Sequence, residues 1–361
     1  MDAFWATIQL IASKYNCGTE HFSGRHWPPN QEAAGRASEV MLATTSESHL
    51  PTQNHAESSK PTGSAAAKLE RMSSVSRARP KYQEKLTTSP DEGHKLKSWP
   101  DDIRSAPNEI LRSALFGALG KGSRALLEKE NIMSPKGQQI RYTGTRLDQI
   151  DLTIWLCLLH LARQQTLGQE LSFKAYNLLK LMRKTDTGKN RKILHERLLR
   201  LKSGGFEITK GNLEYKGRLI GDVYQDARSP AYVLILDAKL HLLFPKDGFT
   251  YVNWAIRSAL YRQPLAQWLH GFYSSHAKPY PMKVETLQKL CGSEAAETWK
   301  FTQTLQRALT ALSTTCSVHH EQFSYDIRGD LVYVERQPSP SQLRHIAKSF
   351  DRSRKDYRSS G

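Results

Sequence analysis

The sequence predicts an α+β fold with two tandem winged-helix units, each a helix-turn-helix followed by a β-hairpin, after a disordered basic N-terminal arm. A strand, two helices and a hairpin follow one another after Glu170, and the same order recurs after Met282. The first 97 residues have too few apolar side chains to offset their ordering entropy. We therefore divide the 361 residues into an arm (1–97), a first unit (98–248), a second unit (249–337) and a flexible basic tail (338–361).

The segment 170–209 carries the clearest signal. We predict a strand at 171–173, a helix at 175–182 and a second helix at 189–202. Between the helices, Thr-Asp-Thr-Gly at 185–188 predicts a tight turn, because Thr and Asp cap helices and Gly tolerates positive φ.

The second helix of this segment is strongly basic. Residues 180–202 include nine Lys or Arg against two acids, Asp186 and Glu196. At about 100° per residue the helix separates into two faces. The apolar face consists of Ile193, Leu194, Leu198 and Leu201, and the outward face of Lys189, Lys192, His195, Glu196, Arg200 and Ser203.

A basic hairpin follows this helix. Gly204 and Gly205 end the helix, and residues 206–225 alternate as two strands around Lys210-Gly211-Asn212. In a winged helix the second helix enters the major groove and the wing reaches phosphate or the minor groove, although a solvated charged face is the plain alternative. We predict DNA contacts from Lys189, Arg191, Lys192, His195, Arg200, Lys210, Lys216 and Arg218.

The rest of the first unit supplies its core. We predict a strand at 140–143, an apolar helix at 152–165 and a last, buried strand at 232–237. Cys157 lies within the apolar helix, where it is predicted to be a small core residue.

The second unit repeats the plan. We predict helices at 264–274, 285–290 and 295–312, an extended segment at 282–284, a Cys-Gly-Ser turn and a hairpin at 323–336. In the long helix, the predicted buried face is Phe301, Leu305, Ala308, Leu309 and Leu312, and the opposite face, either a DNA surface or a plain exposed one, is Lys300, Gln303 and Arg307. Arg would pair with guanine and Gln with adenine. Trp299, expected to be partly buried, and Tyr325 are candidates for stacking on single-stranded bases.

Charge and cysteine usage narrow the class of protein. The net charge of +17 and the pI near 9.7 favour a polyanionic partner, nucleic acid first and an anionic membrane surface second. The four cysteines have no metal-binding spacing, so neither a metal site nor a disulfide framework is expected. The sequence has neither a membrane-spanning segment nor a secretory signal, and we expect a cytoplasmic protein that binds no membrane.

The sequence contains two partial enzyme motifs, and neither has the arrangement that its chemistry requires. GALGKGS at 117–123 lacks the four residues that a P-loop places before Gly-Lys-Ser/Thr. His319 and His320 with Tyr325 suggest a nicking relaxase, but adjacent residues on a strand would point to opposite faces. We therefore expect no enzyme activity, no catalytic residues and no cofactor.

Three stretches carry a family resemblance. Residues 268–293 read WLHGFYSSHAKPYPMKVETLQKLCGS, residues 99–116 read WPDDIRSAPNEILRSALF, and residues 140–155 read IRYTGTRLDQIDLTIW. Their motifs, in this order and spacing, resemble the TrfA family of plasmid replication initiators. The resemblance covers roughly residues 98–336.

The resemblance implies a bacterial, plasmid-encoded initiator with two winged-helix domains. Such a protein binds direct repeats (iterons) in double-stranded DNA at a plasmid origin, promotes melting of an adjacent A·T-rich region, and recruits host DnaA and the replicative helicase. The resemblance also implies self-association as an inactive dimer. The family's clamp-binding pentapeptide of the type Gln-Leu-Ser-Leu-Phe is replaced here by GHKLKS at 93–98, which leaves sliding-clamp binding without its Leu-Phe anchor.

A DNA-binding protein of this kind could be a replication initiator or a transcriptional repressor. The same units could act as a transcriptional repressor on a plasmid promoter. Tandem direct repeats beside an A·T-rich stretch would favour initiation, whereas one inverted repeat over a promoter would favour repression. If about eight phosphates are neutralised, log affinity should fall with log salt at a slope near −7, and a slope shallower than about −3 would argue against two engaged units.

Overall fold

The computed structural model describes residues 93–225 and 231–347, which belong to one compact unit. Ordered packing begins before the boundary that we placed at residue 98, because Lys95 bridges to Thr166 and Leu96 is buried in the core. The tail is also not uniformly flexible: residues 340–347 are helical, and the Gln342 amide donates a hydrogen bond to the Ser274 carbonyl (2.8 Å). The remainder of the predicted arm and residues 348–361 lie outside the described residues.

Helices and strands alternate along the described chain. In order they are β1 (Ile103–Pro107), α1 (Asn108–Leu111), β2 (Phe116–Gly117), β3 (Leu126–Ile132), β4 (Gln138–Thr145), β5 (Leu147–Asp148), α2 (Gln149–Ala162), β6 (Glu170–Lys174), α3 (Ala175–Leu181), α4 (Gly188–Ser203), β7 (Gly205–Lys210), β8 (Leu213–Arg218), β9 (Val223–Gln225) and β10 (Ala231–Ile235). They continue with a 3₁₀ helix (Ala238–Leu243), β11 (Phe249–Asn253), α5 (Trp254–Ala259), α6 (Pro264–Ser274), β12 (Met282–Lys283), α7 (Val284–Leu290), α8 (Thr298–Val318), β13 (Phe323–Arg328) and β14 (Leu331–Arg336). The α+β class is confirmed.

The strands form small sheets. The largest has the order β3-β4-β7-β8 and is antiparallel throughout, so the predicted hairpin β7–β8 is one edge of a four-stranded sheet. In the sheet β6-β10-β9, the strand predicted at 232–237 is β10, which ends at Ile235 and alternates between buried and half-buried side chains, so it is buried on one face. Strand β14 pairs with both β12 and β13, and the pairs β1-β11 and β2-β5 complete the described strands.

The apolar helix α2 begins three residues earlier than we predicted. The Asp148 carboxylate accepts hydrogen bonds from the backbone N–H groups of Ile150 and Asp151, and the Asp151 carboxylate accepts from the Asp148 N–H. This reciprocal capping box satisfies donors that would otherwise be unpaired, so the helix starts at Gln149 rather than at Leu152. Cys157 is fully buried, as expected.

The buried apolar side chains form two clusters. One extends from Leu96 to Trp254 and the other from Ile256 to Val334. Arg257, only 1% exposed, connects them by donating to Gln149 and Thr153 of α2 and to the Gln267 carbonyl of α6. The division into units at residue 248 stays a prediction.

One glycine prediction is wrong and another is confirmed. Gly188 is the first residue of α4, and the positive φ before it falls on Arg183 (55°). Gly204 ends α4 as predicted, with a φ of −83°. A Cβ at Gly204 would lie 2.4 Å from the Tyr142 hydroxyl, and glycine is required there by close packing against β4.

The second unit follows the predicted order. Helix α6 has the predicted bounds, with Pro264 in its first turn. Helix α8 starts at Thr298 instead of 295, since the Ala295 carbonyl accepts from the Gln288 side chain. It continues to Val318 instead of 312, and the Thr315 hydroxyl donates to the Ala311 carbonyl (2.7 Å) within this last part. Within the described ranges, no helix combines the length and apolar character needed to cross a bilayer.

Candidate nucleic-acid interface

Helix α4 is positioned by its apolar face and by its cap. Leu194, Leu198 and Leu201 are at most 1% exposed, whereas Ile193 is 36% exposed, so the prediction that Ile193 is buried was wrong. The Thr187 hydroxyl accepts a hydrogen bond from the Asn190 N–H and caps the helix. The outward face is therefore held rigidly by the core beneath it.

The first two turns of α4 present cations to solvent. Lys189 and Lys192 are exposed, and within the described residues neither lies within salt-bridge distance of an acidic side chain. Arg191 forms a two-point ion pair with Asp186, the residue just before the capping Thr187. His195 is exposed, and its Nδ1 lies 3.3 Å from the Tyr232 hydroxyl.

Arg200 differs from the other predicted contact residues on α4. Its guanidinium lies 3.3 Å from the Asp151 carboxylate and 3.9 Å from that of Asp148, and its side chain is 21% exposed. Arg197, which sequence reasoning missed, lies 2.7 Å from Asp148 and 3.0 Å from Asp151. The prediction that Arg200 faces outward as a free cation was wrong, because the N-terminus of α2 brings two carboxylates over it.

The two carboxylates in this cluster respond in opposite directions to their surroundings. Burial raises the pKa of Asp148, but Arg197 and hydrogen bonds from Arg197, Arg124 and the Ile150 N–H outweigh it, so the pKa lies below its ordinary value. Burial, followed by the charge of Asp148, raises the pKa of Asp151 to about 6. The cluster joins α4 to α2, so Arg197 and Arg200 are not free cations, and removing one of its members would leave a buried charge without its partner.

The hairpin after α4 offers fewer free cations than predicted. The Lys210 ammonium lies 2.7 Å from Glu109 of α1, a side chain that is only 3% exposed. Lys216 lies 2.9 Å from Glu214, and both are exposed. Arg218 is exposed with no acidic partner in the described part of the chain. The turn itself is as predicted, with Gly211 at a φ of 55°.

Helix α8 separates buried and exposed faces as predicted. Its predicted buried side chains all lie in the core, and Lys300, Gln303 and Arg307 are exposed. Lys300 lies 3.1 Å from Glu297, whereas Arg307 has no acidic partner among the described residues, and its Nε donates to the Gln303 carbonyl. Trp299 is 58% exposed, so the expectation of partial burial against the core was wrong.

Some exposed side chains on α8 escaped the sequence prediction. Thr304 and Gln306 are exposed beside Gln303 and Arg307, and α8 contains no acidic residue over its 21 residues. The absence of acids along the whole outward face was a usable signal. For Arg197 no such signal existed, since its partners lie 46 and 49 residues earlier in the chain.

The relaxase arrangement of side chains is not formed. His319 and His320 lie at the end of α8 rather than on a strand, and His320 has a φ of 58°. The Tyr325 hydroxyl lies 2.7 Å from the Thr310 hydroxyl. Across residues 93–225 and 231–347, no cluster of His, Cys, Asp and Glu side chains is suited to hold a metal ion.

Sequence and structure comparisons were made with known proteins. Residues 86–336 match the TrfA protein family. The chain is 28% identical over 249 residues to a plasmid replication initiator protein TrfA from Escherichia coli, a match that covers 66% of this chain and 63% of that relative. Among solved structures, two crystal structures of domains 2 and 3 of RctB align at TM-scores of 0.43 and 0.40, both at 14% identity, covering 63% and 65% of this chain and 96% and 98% of theirs. The match over residues 86–336 spans more than half of the sequence, and the chain belongs to the TrfA protein family.

Proposed function

We propose that this chain is a plasmid replication initiator that binds repeated sites in double-stranded DNA through two winged-helix units. Family membership and the name of the E. coli relative support the initiator role. The observation that supports the DNA-binding part is that α4 and α8 occupy equivalent places in the order of elements. Each is preceded by a short helix, buries one apolar face, exposes basic or polar side chains on the other, and is followed by a hairpin.

The two helices would contact DNA with different chemistry. Lys189 and Lys192 of α4 are point charges suited to phosphate, and Arg218 of the hairpin can act in the same way. Gln303 and Arg307 of α8 are suited to adenine and guanine edges in the major groove. The ion pairs of Arg200 and Lys210 reduce their expected part in DNA binding.

In this proposal the chain acts without catalysis. Binding to several adjacent repeats would distort the origin, and the free energy of binding would promote melting of a neighbouring A·T-rich segment. Recruitment of host DnaA and the replicative helicase, and an inactive dimer in equilibrium with an active monomer, complete the proposal. A soluble cytoplasmic protein without cofactor or metal fits this role.

The proposed phosphate contacts of Lys189 and Lys192 can be tested by the salt dependence of DNA binding. Each phosphate contact contributes about −0.9 to the slope of log affinity against log salt. The double variant Lys189→Ala/Lys192→Ala should therefore make the slope shallower by about 1.8 for an origin duplex, measured by fluorescence anisotropy. Lys239→Ala/Lys246→Ala removes the same charge outside both helices and hairpins and should leave the slope unchanged. Equal effects from both double variants would contradict a specific role for α4.

The initiator role is tested by permanganate footprinting. Supercoiled DNA carrying the protein's own plasmid origin is treated with the wild type and with Lys192→Ala/Arg307→Ala. Unpaired thymines beside the repeats with the wild type, lost in the variant, are the expected result. Protection of the repeats without unpaired thymines, even after host DnaA is added, would contradict origin melting and favour a repressor. No protection at all would contradict DNA binding at the origin.

A further inference from the structure

Asp186 lies in the turn just before α4, close to the basic side chains that are proposed to contact DNA. A negative charge there would repel the phosphate backbone, so its presence calls for a specific role. The Asp186 carboxylate accepts from Arg191 at both oxygens, 2.6 Å from Nε and 2.7 Å from Nη2. Capping does not explain Asp186, because the Thr187 hydroxyl caps the helix. The turn is braced separately by the Asn190 amide, which donates to the Thr185 carbonyl (2.8 Å).

The geometry of this pair leaves a defined part of Arg191 free. A guanidinium has five N–H donors, and Asp186 occupies one on Nε and one on Nη2. The remaining donors lie in the fixed plane of the group on its far edge. The Arg191 side chain is 52% exposed, so this edge is open to a ligand, whereas the Asp186 side chain is only 22% exposed.

The charge of the pair decides what that ligand is. Arg191 and Asp186 together are neutral, so a phosphate gains little net attraction and meets the Asp186 carboxylate nearby. A guanine edge presents the neutral acceptors O6 and N7 to two parallel N–H donors, and the opposing carboxylate does not repel it. The neighbouring Lys189 and Lys192, with no acidic partner in the described residues, are by contrast phosphate-binding in character.

We propose that Asp186 makes Arg191 a base-reading residue, holding its guanidinium plane toward a guanine in the major groove and keeping it off the phosphate backbone. This inference rests on the proposed function, in which the first turn of α4 enters the groove. Asp186 is a specificity-determining positioning residue, and Arg191 is the residue that touches the base. Lys189 and Lys192 of α4 supply affinity without sequence information.

The test compares three variants on two duplexes of equal length. One duplex carries a repeat from the plasmid's own origin and the other a scrambled sequence of the same composition. Asp186→Asn frees Arg191 for phosphate, so affinity for the scrambled duplex should rise about threefold to tenfold and the salt slope should steepen by about 0.9. Arg191→Ala should lower the preference for the repeat about tenfold or more and leave the salt slope unchanged.

Lys192→Ala is the matched control. This variant should lower the affinity for both duplexes by the same factor and make the salt slope shallower by about 0.9. Two results would overturn the inference and leave the proposed function intact. One is an Asp186→Asn variant whose ratio of affinities for the repeat and the scrambled duplex equals that of the wild type. The other is an Arg191→Ala variant whose salt slope becomes shallower by as much as that of Lys192→Ala. A wild type with no preference for the repeat would overturn both. Unchanged thermal unfolding of Asp186→Asn separates loss of specificity from loss of fold.

Discussion

Replacing Asp148 by alanine should be among the most destabilising single changes in this chain. Asp148 is 2% exposed, caps α2 through the N–H groups of Ile150 and Asp151, and accepts from Arg124 (3.1 Å) and Arg197 (2.7 Å). Loss of an N-cap costs about 1 kcal/mol, and removing one partner of a buried ion pair costs about 3–5 kcal/mol. After the substitution Arg197 would still have Asp151 as a partner at 3.0 Å, so we take the lower end of that range, about 3 kcal/mol, for loss of the ion pair.

The expected loss in the free energy of unfolding is therefore about 4 kcal/mol, out of a typical total of about 5–15 kcal/mol. Asp148→Asn keeps an oxygen for the cap and loses only the charge, so its cost should be smaller by about 1 kcal/mol. It also provides a measurable variant if Asp148→Ala does not fold. Equilibrium unfolding in urea, followed by far-ultraviolet circular dichroism, gives each value.

Asp101→Ala is the matched control for burial. Asp101 binds Arg163 at 2.6 Å, a distance close to that between Asp148 and Arg197, but the Asp101 side chain is 89% exposed. Arg163 is only 10% exposed, but it also donates to the Trp99 and His160 carbonyls, so losing the exposed Asp101 carboxylate should cost about 1 kcal/mol. If Asp148→Ala costs no more than Asp101→Ala, the buried cluster does not hold α4 to α2 and the reasoning is refuted.

Two further predictions concern pH and packing. Burial lowers the pKa of His160 and His276 to about 4 and that of His270 to about 3, so between pH 6 and 4.5 these three side chains are protonated mainly in the unfolded state. Asp151, whose pKa burial raises to about 6, takes up a proton in the folded state instead. The unfolded state therefore binds about two more protons, and the free energy of unfolding should fall by about 2.7 kcal/mol per pH unit from pH 6 to 4.5, measured by urea unfolding; constant or rising stability would contradict the assignment. Gly204→Ala should cost about 1–3 kcal/mol through overpacking, whereas Gly120→Ala, whose Cβ has nothing within 4 Å, should be nearly neutral in the same assay.

Local patterns were sufficient for the elements of secondary structure. Helix α6 has the predicted bounds because Pro264 fixes its first turn and apolar side chains continue through it. The first hairpin turns at the predicted Gly211, and the predicted hairpin at 323–336 turns at Gly329; their φ values are 55° and 61°. These features depend on neighbours within a few residues, and the sequence contains that information directly.

The candidate site required more than its own helix. A spacing of 100° per residue places Arg200 away from the local core, and the hairpin turn does the same for Lys210, but neither can indicate which side chain approaches from elsewhere. Asp151 meets Arg200 from 49 residues away and Glu109 meets Lys210 from 101 residues away, and both carboxylates are buried. The pair of Arg191 and Asp186, five residues apart, depends on the turn geometry before α4.

The sequence alone determined the family, the α+β class, the order of the two helix and hairpin series, the apolar face of α8 and, apart from Ile193, that of α4. Only the tertiary structure decided which cations remain available, since charge is neutralised by contacts between segments far apart in the chain. Burial determined this outcome as well, because a carboxylate removed from water binds the nearest guanidinium or ammonium in preference to remaining unpaired. Lys189, Lys192, Arg218 and Arg307 remain without such a partner in the described residues, and they define the surface on which DNA binding is to be tested.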